Sequence, residues 1–179
     1  MKRQSIKYGL ISGGVMVILI LIPFFIFRSM ELKTVFKASE IIGYSVMILS
    51  LLFIFFGIRS YRDNELGGAI SFGRAFMTGL FITFIASLIF AIFNVILYKY
   101  IAPNLINEMI DFHKQTLMES PMPKAEMDAR LAEFDANRAF YNNVYLQGFI
   151  MFSTVFFMGA VITLISSLIL KRKLKTQTA

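Results

Sequence analysis

The sequence predicts an all-α membrane protein: four transmembrane helices with an extramembrane helical hairpin between the third and the fourth. Three observations carry that prediction. Apolar runs at approximately 8–27, 41–58, 72–98 and 147–170 each approach or exceed the roughly 20 residues that a helix needs to cross a hydrocarbon core of about 30 Å. Charged residues fall between these runs, with Arg74 at one edge as the single exception. The chain is 57% hydrophobic and 16% charged, whereas a soluble domain is near half apolar and a quarter charged.

Helices are the spanning structures these runs allow. Peptide groups in hydrocarbon must be satisfied internally, and barrel strands would alternate apolar with polar residues, which the runs do not. Lys2, Arg3 and Lys7 before the first run also resemble the start of a secretory signal. That run, however, is longer than a usual signal core and ends Phe25-Ile26-Phe27-Arg28 with no small-x-small cleavage site, so it reads as a retained span kinked near Pro23. A polar link with Arg28, Glu31, Lys33, Lys37 and Glu40 leads to the second run, and Lys171, Arg172 and Lys173 stop the fourth. All 179 residues form a single membrane domain in this reading.

Bases set the orientation. Lys2, Arg3, Lys7, Arg59, Arg62, Arg74, Lys171, Arg172, Lys173 and Lys175 fall on one side with only Asp63 and Glu65. The other side holds eight bases and nine acids. Both termini are therefore expected on the cytoplasmic side. The net charge of +7 is explained by these flanks, since no polar domain gathers the bases into a nucleic-acid surface. With no tryptophan, any aromatic belt must come from tyrosine and phenylalanine.

Residues 104–145 are patterned as two helices. Leu105, Ile106, Met109, Ile110 and Leu117 mark one apolar stripe after Pro103, and Met127, Leu131, Phe134, Tyr141 and Tyr145 mark another. Ser120-Pro121-Met122-Pro123 lies between them, with Ser120 as a cap and a proline in the next helix's first turn. These features predict an antiparallel hairpin with its tip near Pro121. Its acidic balance has the wrong sign for a helix lying on anionic headgroups, so the stripes are expected to pack on each other or on a partner.

Between the second and third spans, Gly67-Gly68 supplies a turn that needs positive φ, and Ser71 is the expected N-cap of the third helix. Arg59, Arg62 and Arg74 are candidates for contact with an anionic lipid. The plainer account, that they are ordinary positive-inside flanks, is preferred.

Inside lipid, helices associate through close backbone approach and side-chain hydrogen bonds. Ala75, Gly79, Thr83, Ser87 and Ala91 recur every four residues and form one ridge on the third span, with Asn94 beyond it. Gly159, Thr163 and Ser167 repeat the pattern on the fourth. The first span offers Ser12, Gly13 and Gly14, and the second Gly43 and Ser50. The ridge and Asn94 are expected to face the bundle interior.

Evidence for chemistry is scarce. The absence of cysteine excludes disulfides, thiolate metal sites and a cysteine nucleophile. No ionisable residue lies deep in a span, as transport or proton relay would usually require. His113 stands near Glu108, Asp111 and Glu119 at spacings that match no metal pattern, and no nucleophile–base pair or phosphate-binding glycine loop is present. The expectation is no metal, no cofactor and no enzymatic activity.

Tyr61-Arg62-Asp63, followed by Gly67-Gly68-x-Ile70-Ser71-Phe72-Gly73-x-Ala75-Phe76 and Gly79, resembles the signature segment of the domain of unknown function 4199 family. Pro103 after the third span and the long link before the fourth are similar too. The resemblance implies a small four-helix protein of the bacterial inner membrane and brings no activity with it. The function expected is thus that of a non-enzymatic helical module, acting by self-association or as an accessory subunit within the lipid bilayer. A small channel or lipid or solute transporter is the alternative, and an enzyme on lipid-linked phosphate substrates a third reading.

Overall fold

Each apolar run becomes a helix because a lipid-facing backbone has no other partner for its N–H and C=O groups. The computed structural model describes residues 1–26 and 32–172 and, within them, all side chains but those of residues 23, 24, 26 and 32–40. In chain order the helices are α1 (Lys2–Ile26), α2 (Leu32–Leu51), α3 (Phe53–Glu65), α4 (Phe72–Ile96), α5 (Leu105–Met118), α6 (Lys124–Ala136), α7 (Arg138–Tyr141) and α8 (Val144–Leu170). Four stretches are long and apolar enough to cross a membrane: Lys2–Ile22, Ile41–Glu65, Phe72–Ile101 and Val144–Leu170. The protein is an all-α membrane protein.

The helices outrun the apolar stretches. Residues 32–40 are already helical before the second run begins, and that helix persists through Arg59 and Arg62 to Glu65. Charge marks where hydrocarbon would end, whereas a helix ends only where backbone hydrogen bonding is interrupted. Arg28 and Glu31 lie outside the described residues, as do the side chains of Pro23, Lys33, Lys37 and Glu40.

The second span is interrupted once, at Leu52. Its amide is shared between the carbonyls of Ile48 and Leu49, at 3.2 and 3.3 Å, and its own carbonyl accepts from Phe55 only three residues on. Next to this tightened turn the Ser12 hydroxyl of α1 donates to the Ser50 carbonyl at 2.7 Å. A side chain reaching into a helical ladder is a known cause of such a break.

Helix α4 is the hub, packing on α1, α3 and α8. It continues through one π-helical turn, Leu97–Ile101. One end of the bundle is tied by the predicted turn: Gly67 and Gly68 have φ of +64° and +89°, and the Ser71 hydroxyl accepts from the Arg74 amide at 3.5 Å. There Ile70 and Arg172 exchange two backbone hydrogen bonds, of 3.0 and 2.9 Å, and the Met1 amine meets Glu65 at 3.0 Å. Met1 and Arg172 therefore lie at the same end.

Between α4 and α8, α5 and α6 run antiparallel, with Lys114 paired to Asp135 and Arg138 reaching Asn107 at 3.5 Å. The turn between them, 119–123, contains Pro121 as expected. Three details differ from the sequence reading. Ser120 donates to the Leu117 carbonyl at 2.6 Å, so it closes α5 rather than opening α6, which starts from Pro123 without a side-chain cap. The second stripe is divided among three helices, because Asn143 caps α8 by accepting from the Tyr145 and Leu146 amides at 3.2 Å each. Finally, Ile106 and Ile110 of α5 are buried, but α6 has no buried residue, so its stripe is not closed by its neighbour.

Candidate functional site

The small residues of α4 and α8 meet along one antiparallel seam. A Cβ placed on Gly79 would lie 2.5 Å from Thr163 Cγ2, and one on Gly159 would come closer still to Thr83 Cγ2. Each glycine is thus the socket for the other helix's threonine. The two threonine hydroxyls share a buried hydrogen bond of 3.1 Å. Ala75, Ser87 and Ser167 are fully buried, Gly79 and Gly159 are buried, and Ala91 is half-buried. Asn94 is also buried, but its amide donates to the Phe90 carbonyl of its own helix at 2.8 Å, as Ser87 does to Thr83 at 2.8 Å. Asn94 therefore glues no second helix here, because a carbonyl one turn back lies within easier reach. A hydrogen bond between membrane helices contributes only about 0.6 kcal/mol on average, so the seam rests chiefly on shape.

A second set of sockets faces the opposite side of α4. Cβ atoms on Gly9 and Gly13 of α1 would lie 2.7 and 2.8 Å from the Ile85 and Ile89 side chains, and one on Gly57 of α3 would lie 2.5 Å from Ile82 Cδ1. The pairing of Gly9 with Ile85 and Gly13 with Ile89 makes α1 parallel to α4. Sequence reasoning picked out Gly13 but passed over Gly9, although Gly9-x-x-x-Gly13 is the small-xxx-small spacing that lets helices approach. Ser5 reinforces the contact by donating to the Thr78 carbonyl at 3.4 Å.

Arg59, Arg62 and Arg74 do different things. Arg62 chelates the neighbouring Asp63 carboxylate at 2.7 and 3.2 Å and also donates to the Leu170 carbonyl at 3.3 Å. A cation on the last turn of α8 satisfies an orphan carbonyl and suits the negative end of the helix dipole. Arg59 approaches the same Asp63 at 3.6 Å. Arg74 is exposed, and among the described residues no hydrogen bond or ion pair joins it to the other two. We expect Arg62→Gln to let the Ile70–Arg172 bridge exchange its amide hydrogens roughly fivefold faster, the value of a partly buried charged hydrogen bond. Hydrogen–deuterium exchange in detergent checks this, and unchanged exchange at Ile70 and Arg172 would remove the clamp from the account.

A cleft of about 460 Å³ opens between α5 and α6, lined by His113, Thr116, Leu117, Ser120, Met122, Arg130, Glu133, Phe134 and Tyr141. Most of its lining lies on the tip side of the Lys114–Asp135 pair. Arg130 is paired with Glu126 at 2.9 Å. Among the described residues, no three metal-ligating side chains gather around His113 or elsewhere.

A family model described as "Protein of unknown function (DUF4199)" matches residues 7–172. The chain belongs to the DUF4199 family. No curated protein and no solved structure matches it. The DUF4199 match takes in all but the first turn or so of α1, the other three membrane-type stretches and the α5–α6 hairpin. Eight residues of the segment that carries the DUF4199 resemblance have a structural role. Tyr61 is buried, Arg62 holds α8, Gly67 and Gly68 make the turn, Ile70 bridges Arg172, Ser71 caps α4, and Ala75 and Gly79 enter the seam.

Proposed function

We propose that this DUF4199 protein is a non-enzymatic helical module of the bacterial inner membrane that works by association, either with itself or as an accessory subunit of another membrane protein. Both termini are cytoplasmic in this reading, and the α5–α6 hairpin projects from the opposite face. The basic flanks at Lys2, Arg3, Lys7, Arg59, Arg62, Arg74 and Lys171–Lys173 support that orientation.

One contrast carries the reading. Thr83, Ser87, Thr163 and Asn94, four of the polar side chains buried in the bundle, are engaged with each other or with their own helices. On α6, by contrast, Met127, Leu131 and Phe134 remain half-open. An apolar helical stripe left uncovered outside lipid is the usual mark of an interaction surface. The enzyme alternative needs a free carboxylate beside the inner arginines. Asp63 is held by Arg59 and Arg62, and Glu65 by the Met1 amine.

The chain lacks cysteine, so single introduced thiols report cleanly. Met127→Cys and Leu131→Cys should cross-link in native membranes to a second copy or to a co-purifying protein, while Asp128→Cys, exposed on the same helix, should do so far less. A strictly monomeric, partnerless particle at both positions would overturn the proposal.

A further inference from the structure

Towards the end of the bundle that carries the hairpin, the larger side chains of α4 and α8 stand around a groove of about 340 Å³ on the lipid-facing side. Gly148 makes its floor. A Cβ there would lie 2.7 Å from Val95 and 3.3 Å from the Ala91 carbonyl, so the backbones touch and the larger flanking side chains stand up as walls. Those walls include Ile92, Phe149 and Tyr145, which are 53%, 64% and 64% exposed. Both helices belong to stretches long and apolar enough to cross a bilayer, so the groove opens onto hydrocarbon and an acyl chain is the molecule at hand to fill it.

The mouth of the groove is charged. Lys99 Nζ donates to the Tyr145 hydroxyl at 3.1 Å and lies 5.4 and 5.5 Å from the ring centres of Tyr100 and Tyr145. Tyr145 is therefore both groove wall and partner of the cation. Having accepted from Lys99, its hydroxyl still has a hydrogen to donate, and the ammonium has further donors. Among the described residues no carboxylate pairs with Lys99. Tyrosines with a lysine between them are typical of the headgroup level, which places this ammonium at phosphate height.

We propose that this groove binds an anionic phospholipid, with one acyl chain along Ala91, Val95 and Gly148 and its phosphate on Lys99 Nζ and Tyr145 OH. The Lys99 ammonium favours a lipid of net negative charge, because a choline headgroup brings its own ammonium and needs no second. The site lies at the opposite end of the bundle from Arg59, Arg62 and Arg74, and is separate from the α6 stripe.

The test is titration of the detergent-purified full chain with phosphatidylglycerol or phosphatidylcholine, read by native mass spectrometry and thermal unfolding. The parent should hold one phosphatidylglycerol and gain more thermal stability from it than from phosphatidylcholine. Lys99→Gln should weaken phosphatidylglycerol binding about fivefold and leave phosphatidylcholine unchanged. Ile92→Trp, on an exposed wall, should lower retention of both lipids while keeping the lipid-free melting temperature. Equal affinity of the parent for the two lipids, or an undiminished preference in Lys99→Gln, would overturn the site. So would cross-linking between two copies at Phe149 that excludes lipid, since the groove would then belong to a second protein chain.

Discussion

Gly79→Ala should lower the resistance of the bundle to unfolding by about 1–3 kcal/mol, the usual range for overpacking a close contact. The added methyl would sit 2.5 Å from Thr163 Cγ2, and a threonine on a helix has little rotamer freedom with which to step aside. Thr163→Ser removes the obstructing methyl and keeps the hydroxyl that bonds Thr83. The double variant should therefore recover part of the loss, with a coupling of about 1–2 kcal/mol in the mutant cycle; the retained hydroxyl and Ile58 Cδ1, at 2.9 and 3.0 Å, keep the rest. Unfolding titrations with a denaturing detergent measure all four species. Additive effects would mean that Gly79 and Thr163 do not meet, and the antiparallel seam as described would be wrong.

The second large effect contrasts two adjacent glycines. Gly13→Ala should separate α1 from α4, because its methyl would lie 2.8 Å from Ile89 Cδ1 and 2.9 Å from Ile89 Cβ. Gly14 has nothing within 4 Å, so Gly14→Ala should be neutral or stabilising by up to about 1 kcal/mol through helix propensity alone. Both substitutions share that propensity term, and their difference isolates the contact, at roughly 1–3 kcal/mol. Ile89→Val deletes the nearest atom and should partly rescue Gly13→Ala. Equal stability of the two alanine variants would show that α1 does not dock through this face.

The spans were legible because uncharged length is a strong constraint in hydrocarbon. Gly67, Gly68 and Ser71 were legible because a positive φ and a helix N-terminus each demand particular residue types. The inward face of α4 could be read from its four-residue spacing, which puts Ala75, Gly79, Thr83 and Ser87 on one side. What escaped was of two kinds. Helix ends in the polar link depend on small competing terms: Ser120 could satisfy a carbonyl behind it or an amide ahead of it, and only the fold selects the first. Contacts distant in sequence leave no local trace, as with Arg62 on the Leu170 carbonyl or Lys99 on Tyr145. The Gly9 socket lay between these cases, since its spacing to Gly13 was visible while the isoleucines filling both sockets were not.

The order in which the chain is made gives the central helix a further significance. Gly9, Gly13 and Gly57 offer their sockets to Ile82, Ile85 and Ile89, which the ribosome adds later. The first two spans therefore enter the membrane with the Gly9 and Gly13 notches open, and the third span fills them. A nascent chain halted before residue 89 would leave the Gly13 notch open, available to quality-control proteases or to a stray helix.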